Sequence, residues 1–165
     1  MPLAGAKIRA SDIPSSQVIS KAANETVTSS ATAQNDDDLV VTLSAGKSYR
    51  VALWLTVASG GLETGDIQVQ WSWGGTAAKT ARNAVGPAQA ATDSLDTNVE
   101  LFASSLTVGI GYGIDADRAT TIFEELLFED VTVSGTLQMQ WSQRVSQTTG
   151  TTLSASSRLF VEEVT

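Results

Sequence analysis

A six-residue pattern occurs twice in this chain, as Ile67-Gln68-Val69-Gln70-Trp71-Ser72 and as Leu137-Gln138-Met139-Gln140-Trp141-Ser142. Each copy follows a glycine, Gly65 or Gly135, and a long apolar run lies just before each glycine. Apolar and polar residues alternate, so each copy is predicted to be a strand with one dry face and one amide-lined face. Gln68, Gln70, Gln138 and Gln140 line the wet faces. Trp71, Trp73 and Trp141 are the expected core anchors, each worth about 3–5 kcal/mol by the usual cost of removing a core tryptophan. Two similar hairpins imply an all-β fold with two related halves.

The rest of the chain supports the same class. Ser48 to Ala58 carries the strongest alternation: Tyr49, Val51, Leu53, Leu55 and Val57 share one face, and Arg50, Ala52, Trp54 and Thr56 the other. Strands are also predicted at Glu25–Ser30, Leu39–Leu43, Asn98–Phe102, Leu106–Ile114 and Thr151–Val161. Gln34–Asp38 and Ser44–Lys47 read as turns. Gly74 to Asp96, rich in Ala, Gly and Thr, reads as a long surface loop holding at most one short strand. In Ala119–Val133, Phe123-Glu124-Glu125-Leu126-Leu127-Phe128 would suit a helical turn, but the flanking Thr, Ile and Val favour strand, and strand is the reading adopted. About eight strands with glycine-rich turns predict an antiparallel β-sandwich, jelly-roll-like, over residues 25–165. Residues 1–24, broken by Pro2, Gly5 and Pro14, read as an extended N-terminal arm, with room for one or two helical turns at Ser15–Ala22.

Composition removes several chemistries. With no cysteine and no histidine, thiol catalysis, thiolate metal sites, the usual general base and the commonest metal ligand are all absent. A chain of 165 residues needs no disulfide or metal to fold. The net charge of −8 gives no attraction to nucleic acid or anionic membranes. The charge is uneven: Lys7, Arg9 and Lys21 outweigh Asp12 in the first 24 residues, so a mildly basic lead precedes an acidic body. The opening lacks the long apolar core of a signal peptide, and the reading is a chain made in the cytoplasm that stays soluble or joins a larger assembly.

No catalytic constellation is visible. Asp36-Asp37-Asp38 is the densest acidic run, but consecutive carboxylates point apart, so a solvated turn is expected rather than a cation site. Asp115 and Asp117 would suit one cation, with a plain turn before Arg118 as the simpler reading. Glu124, Glu125 and Glu129 offer paired carboxylates of the kind that cleave glycosides, without a surrounding substrate-binding set. No serine has a base at motif spacing, and no phosphate-cradling loop exists. No cofactor is implied. Trp54 and Phe160 fall opposite the dry faces of their strands. They mark a possible subunit interface, unless both faces of those strands are covered.

Several stretches resemble small virion surface proteins of tailed bacteriophages, especially those of actinobacteria. They are Lys7-Ile8-Arg9-Ala10-Ser11-Asp12-Ile13-Pro14, Glu25–Ser30 leading to Asp37-Asp38-Leu39, Leu43–Tyr49, Ser134–Gln143, and Thr152 through Ser157-Arg158-Leu159. Arg144 and Glu162-Glu163 depart from that pattern. Such proteins are described as head decoration proteins, head fibres or minor tail proteins. The resemblance implies a virion component, with the major capsid protein as partner and a homotrimer as the assembly.

The leading reading is therefore a capsid decoration, or cement, protein whose sandwich covers the outer shell. Its arm would anchor through Leu3, Lys7, Ile8, Arg9, Ile13, Val18 and Ile19. The alternative is a minor tail or fibre-tip protein that binds a host glycan. A polysaccharide-cleaving enzyme ranks third.

Overall fold

The computed structural model describes residues 15–59, 66–88 and 99–164. Among them the secondary structure is strand: β1 (Ser16–Ser20), β2 (Glu25–Val27), β3 (Gln34–Leu43), β4 (Ser48–Ser59), β5 (Ile67–Trp73), β6 (Thr76–Pro87), β7 (Val99–Ser104), β8 (Ile110–Tyr112), β9 (Thr120–Val133), β10 (Gly135–Gln143), β11 (Thr151–Leu153) and β12 (Arg158–Val164). Every pairing is antiparallel. The large sheet runs β1-β12-β4-β9-β6-β7, with β11 also beside β4 and β2 beside β11. The small sheet runs β3-β10-β5-β8. From β3 to β10 the strands thus divide between β3-β10-β5-β8 and β4-β9-β6-β7, which is the jelly-roll-like order of a two-layer β-sandwich.

The alternation read from the sequence puts the core between the layers. Val51, Leu53, Leu55 and Val57 of β4, Ile122, Leu126 and Phe128 of β9, and Leu159 and Val161 of β12 are buried from the large sheet. Ile67, Val69, Trp71, Leu137, Met139 and Trp141 are buried from the small one. All belong to one apolar cluster. Non-polar area removed from water at about 25 cal/mol per Å² drives the two layers together.

The two copies of the repeated pattern are β5 and β10, neighbours at the centre of the small sheet. Their register sets Gln70 opposite Gln140 and Trp71 opposite Met139. On the outer face the amides form a ladder: Gln70 Nε2 donates to Gln140 Oε1 (2.9 Å), and Gln140 Nε2 donates to Asn35 Oδ1 (2.7 Å). The apolar runs before each copy, β4 and β9, pair with each other in the large sheet. The repeat unit is therefore not a hairpin, as expected, but a strand that crosses from one layer to the other. Gly135, where the second copy begins, is held by close approach: a Cβ there would sit on the backbone of Gly74 and Gly75. Gly46, in the turn between β3 and β4, has φ +82°, which favours glycine.

Several local expectations differ from the fold. Ser16–Ser20 is strand β1, not a helical turn, because its backbone pairs with β12 from Ser16 opposite Glu162 to Ser20 opposite Arg158. Gln34–Asp38 is the first half of β3 rather than a turn. Thr76–Pro87 is a twelve-residue strand where a loop was expected. It pairs with β9 on one side and β7 on the other, and neighbours on both edges make its small residues strand-forming. The strand expected at Leu106–Ile114 is only Ile110–Tyr112. Thr151–Val161 is two strands, β11 and β12, separated by a turn.

The body also begins earlier than residue 25. Ile19 packs on the core and Lys21 is buried, so β1 and Lys21 belong to the sandwich. Of the arm residues, Leu3, Lys7, Ile8, Arg9 and Ile13 lie outside the described residues.

Candidate functional site

The carboxylates singled out in the sequence are structural. Glu124 projects inward from β9 and is fully buried with Arg82 of β6. Arg82 Nε donates to Glu124 Oε2 (2.9 Å) and Nη2 to Oε1 (2.7 Å), a two-pronged ion pair. Glu124 also accepts from Trp71 Nε1 (2.8 Å) and from the Tyr112 hydroxyl (2.6 Å). Arg82 spends its remaining N–H groups on the carbonyls of Val69 (3.0 Å) and Val108 (2.7 Å). This network ties the large sheet to β5, β8 and the 105–109 turn. Burial, with the Glu124 charge beside it, pushes the Tyr112 hydroxyl far above the usual tyrosine range, so it stays a donor. Glu125 faces outward and pairs with Arg50, and Glu129 pairs with Lys79.

A second buried charge cluster closes the β1 end. Lys21 Nζ donates to Asp36 Oδ2 (2.7 Å) and to Glu25 Oε2 (2.8 Å), and Asp38 lies 3.8 Å away. Burial alone would lower the Lys21 pKa, but the bonds to Asp36 and Glu25 outweigh it and hold the ammonium charged. Asp36 Oδ1 accepts the backbone N–H groups of Asp38 (3.0 Å) and Leu39 (2.8 Å). At Asp36 the acidic run is thus not a solvated turn: its partner is a lysine of the same chain. Asp115 Oδ1 accepts from the backbone of Asp117 (2.8 Å) and Arg118 (2.9 Å), making the turn that the simpler reading expected. Among the described residues no group of three or more carboxylates, histidines or cysteines is placed to hold a metal ion.

The predicted core tryptophans behave unequally. Trp71 and Trp141 are fully buried. Trp73 is only partly buried and packs its ring on Phe128, with centroids 5.1 Å apart. The Trp71 indole has its acceptor in Glu124, whereas the Trp141 indole N–H meets none among the described residues.

The feature left for function is the outer face of the large sheet. Trp54 is 54% exposed there. Its ring meets Phe160 on one side (5.4 Å between centroids) and Phe123 on the other (6.2 Å). The register continues the row in both directions. Val18 on β1 stands opposite Phe160, Phe160 opposite Ala52, Phe123 opposite Val85, and Val85 opposite Leu101 on β7. Val18 is 58% and Leu101 82% exposed. Two shallow depressions lie along this row. One of about 310 Å³ is lined by Arg50, Ala52, Trp54, Phe123, Phe160 and Glu162, and the next, of about 180 Å³, includes Val85, Leu101, Phe123 and Glu125.

The sequence pointed to Trp54 and Phe160, which the structure brings into contact. It missed Phe123, whose outward side is readable only once β9 has a register. Val18 and Ile19, both read as anchors of an arm, separate: Val18 joins the outer row and Ile19 turns to the core. The small sheet presents the opposite chemistry outside, an amide ladder without aromatic rings.

No protein-family model matches the chain, and no curated protein matches it. Among solved structures, similar chains come from infectious bursal disease virus. The Gt strain structure is 13% identical with a TM-score of 0.26, over 92% of this chain and 42% of that one. The T13 viral particle is 9% identical with a TM-score of 0.27, over 93% and 40%. The chain thus spans about two-fifths of the length of those proteins, and TM-scores this low do not establish a shared fold.

Proposed function

We propose that this chain is a bacteriophage capsid decoration protein that binds the outer surface of the shell and stabilises it. The observation that carries the reading is the apolar row on the large sheet: a monomeric soluble protein has little reason to leave Trp54, Val18 and Leu101 on one continuous face, so the chain is built to associate with protein surfaces, copies of itself included, as a shell component must. Two further points support it. Glu124 and Asp36, two of the acids that stood out in the sequence, are engaged in buried structural pairs with Arg82 and Lys21. The jelly-roll-like strand order recurs in capsid domains, although lectins share it.

In this mechanism the sandwich lies over the shell, and the basic lead segment reaches the major capsid protein through Leu3, Lys7, Ile8, Arg9 and Ile13. Each contact is modest, and many copies add by avidity. Quantitative mass spectrometry of purified virions tests this. Hundreds of copies per particle are expected, and particles lacking the protein should lose resistance to heat or low salt.

A second reading has one observation behind it. The depression walled by Trp54, Phe123 and Phe160, with Arg50 and Glu162 at its rim, offers rings for sugar stacking and polar groups beside them. A glycan-binding tail tip would be present in few copies, and its loss would abolish adsorption to the host.

A further inference from the structure

The outer face of the large sheet differs from the chain as a whole in charge. Arg50, Lys79 and Arg158 point outward beside Glu125, Glu129 and Glu162, so its described charges balance. The chain carries −8. Two copies meeting on this face bring together no net like charge, although the chain as a whole is strongly acidic. The balance is also local. Arg50 with Glu162 borders the first depression, and Glu125 the second, so each sign lies within reach of the apolar row.

The size fits as well. Six strands at about 4.8 Å spacing make a face roughly 24 Å wide, and some seven residues along each strand add roughly 23 Å in the other direction. Before side-chain relief that is on the order of 550 Å² per copy, or about 1,100 Å² for the pair, below the ~800 Å² per partner of a standard interface but above the ~1,000 Å² total that a specific contact needs. Trp54 between Phe123 and Phe160 supplies the aromatic anchors, and the charges stand among them on β12, β4, β9 and β6, Arg158 beside Trp54 and Glu125 beside Ala52, so each copy brings both signs to the contact.

We propose that this face packs against the same face of a second copy of the chain, about a two-fold axis. A patch bearing both signs in equal number can pair its charges with those of its own copy, as an isologous contact requires. The trimer implied by the resemblance would instead need two different matching patches on each copy, and among the described residues the apolar row is a single feature. The pairing holds Trp54 of each copy against the other's row and leaves the amide ladder of the small sheet outside. It does not depend on where, or whether, the protein sits on a virion.

The test is sedimentation equilibrium of the full chain between about 1 and 100 μM, with variants on each face. The wild type is expected at twice the 17.2 kDa of one chain. Trp54→Lys and, separately, Phe160→Glu are expected to weaken association about 30-fold, the effect of losing a ~2 kcal/mol hot spot at 1.4 kcal/mol per tenfold. Far-UV circular dichroism checks that both variants remain folded, and Gln140→Lys on the small sheet should change nothing. A monomer throughout the range, a trimer, or a dimer indifferent to both substitutions overturns the proposal. Should either variant fail to fold, the wild-type mass and the other variant still decide. A monomer that binds shells overturns the pairing alone, and a dimer that binds none overturns the decoration reading alone.

Discussion

Replacing Glu124 by leucine probes how the two layers are joined. The substitution leaves the Arg82 guanidinium buried without its carboxylate, a situation that costs about 3–5 kcal/mol. It also takes the acceptor from Trp71 Nε1 and from the Tyr112 hydroxyl, at roughly 1–3 kcal/mol for each donor left dry. The total reaches a large share of the 5–15 kcal/mol that holds a typical domain together. At a urea slope of about 2 kcal/mol per M, a loss of about 5 kcal/mol, the low end of that sum, moves the unfolding midpoint down by about 2.5 M. Removing both charges, as Glu124→Leu with Arg82→Met, is expected to recover at least ~2 kcal/mol of that loss, since the isolated charge is then gone. Urea unfolding of the wild type, both single variants and the double variant gives the coupling directly. A single variant within about 1 kcal/mol of wild type, or a double variant equal to the sum of the singles, would refute the network as described.

Other outcomes follow from the same contacts. Trp71→Phe should cost about 1.5–3 kcal/mol more than Trp141→Phe, because only the Trp71 indole is bonded to a buried carboxylate; thermal unfolding of the two variants compares them. Removing residues 1–24 takes away β1 and Lys21, leaving the buried Asp36 carboxylate without its cation, and should lower stability by about 3–5 kcal/mol in urea titration. Asp66 has its pKa raised to about 6, chiefly by burial. The folded state therefore holds a proton that the unfolded chain releases near pH 4, so this group's contribution to stability declines as pH rises from about 4 to about 6. Subtracting the pH–stability curve of Asp66→Asn from that of the wild type should isolate this decline, and a flat difference would contradict it.

How far the sequence revealed the molecule depended on which residues carried a period. Period-two alternation was enough for β4, β5 and β10, because each has one wet face and one dry face. It failed for β6, whose Thr76-Ala77-Ala78-Lys79 start has no apolar face; position between β7 and β9 makes it a strand. It was ambiguous for β9, where Glu124 points inward against the apparent pattern, and the reason is Arg82, 42 residues away. Such a pair leaves no trace in local spacing. The same holds for Lys21 with Asp36: a lysine read as part of an extended N-terminal arm and an aspartate read as part of a turn form one buried bond. Trp54 and Phe160 were legible as outward because their strands are regular. That Val18, Phe123, Val85 and Leu101 extend the same row required the register of six strands.

The most direct test of the account is co-sedimentation of the purified full chain with shells stripped of it, from the virus that encodes it, alongside a variant with Lys7 and Arg9 both changed to Glu. Saturable binding of the wild type at a fixed ratio to the major capsid protein, weakened at least about tenfold in the variant, is the expected result. Wild-type chain that stays in the supernatant, or a variant that binds as tightly as wild type, would contradict it.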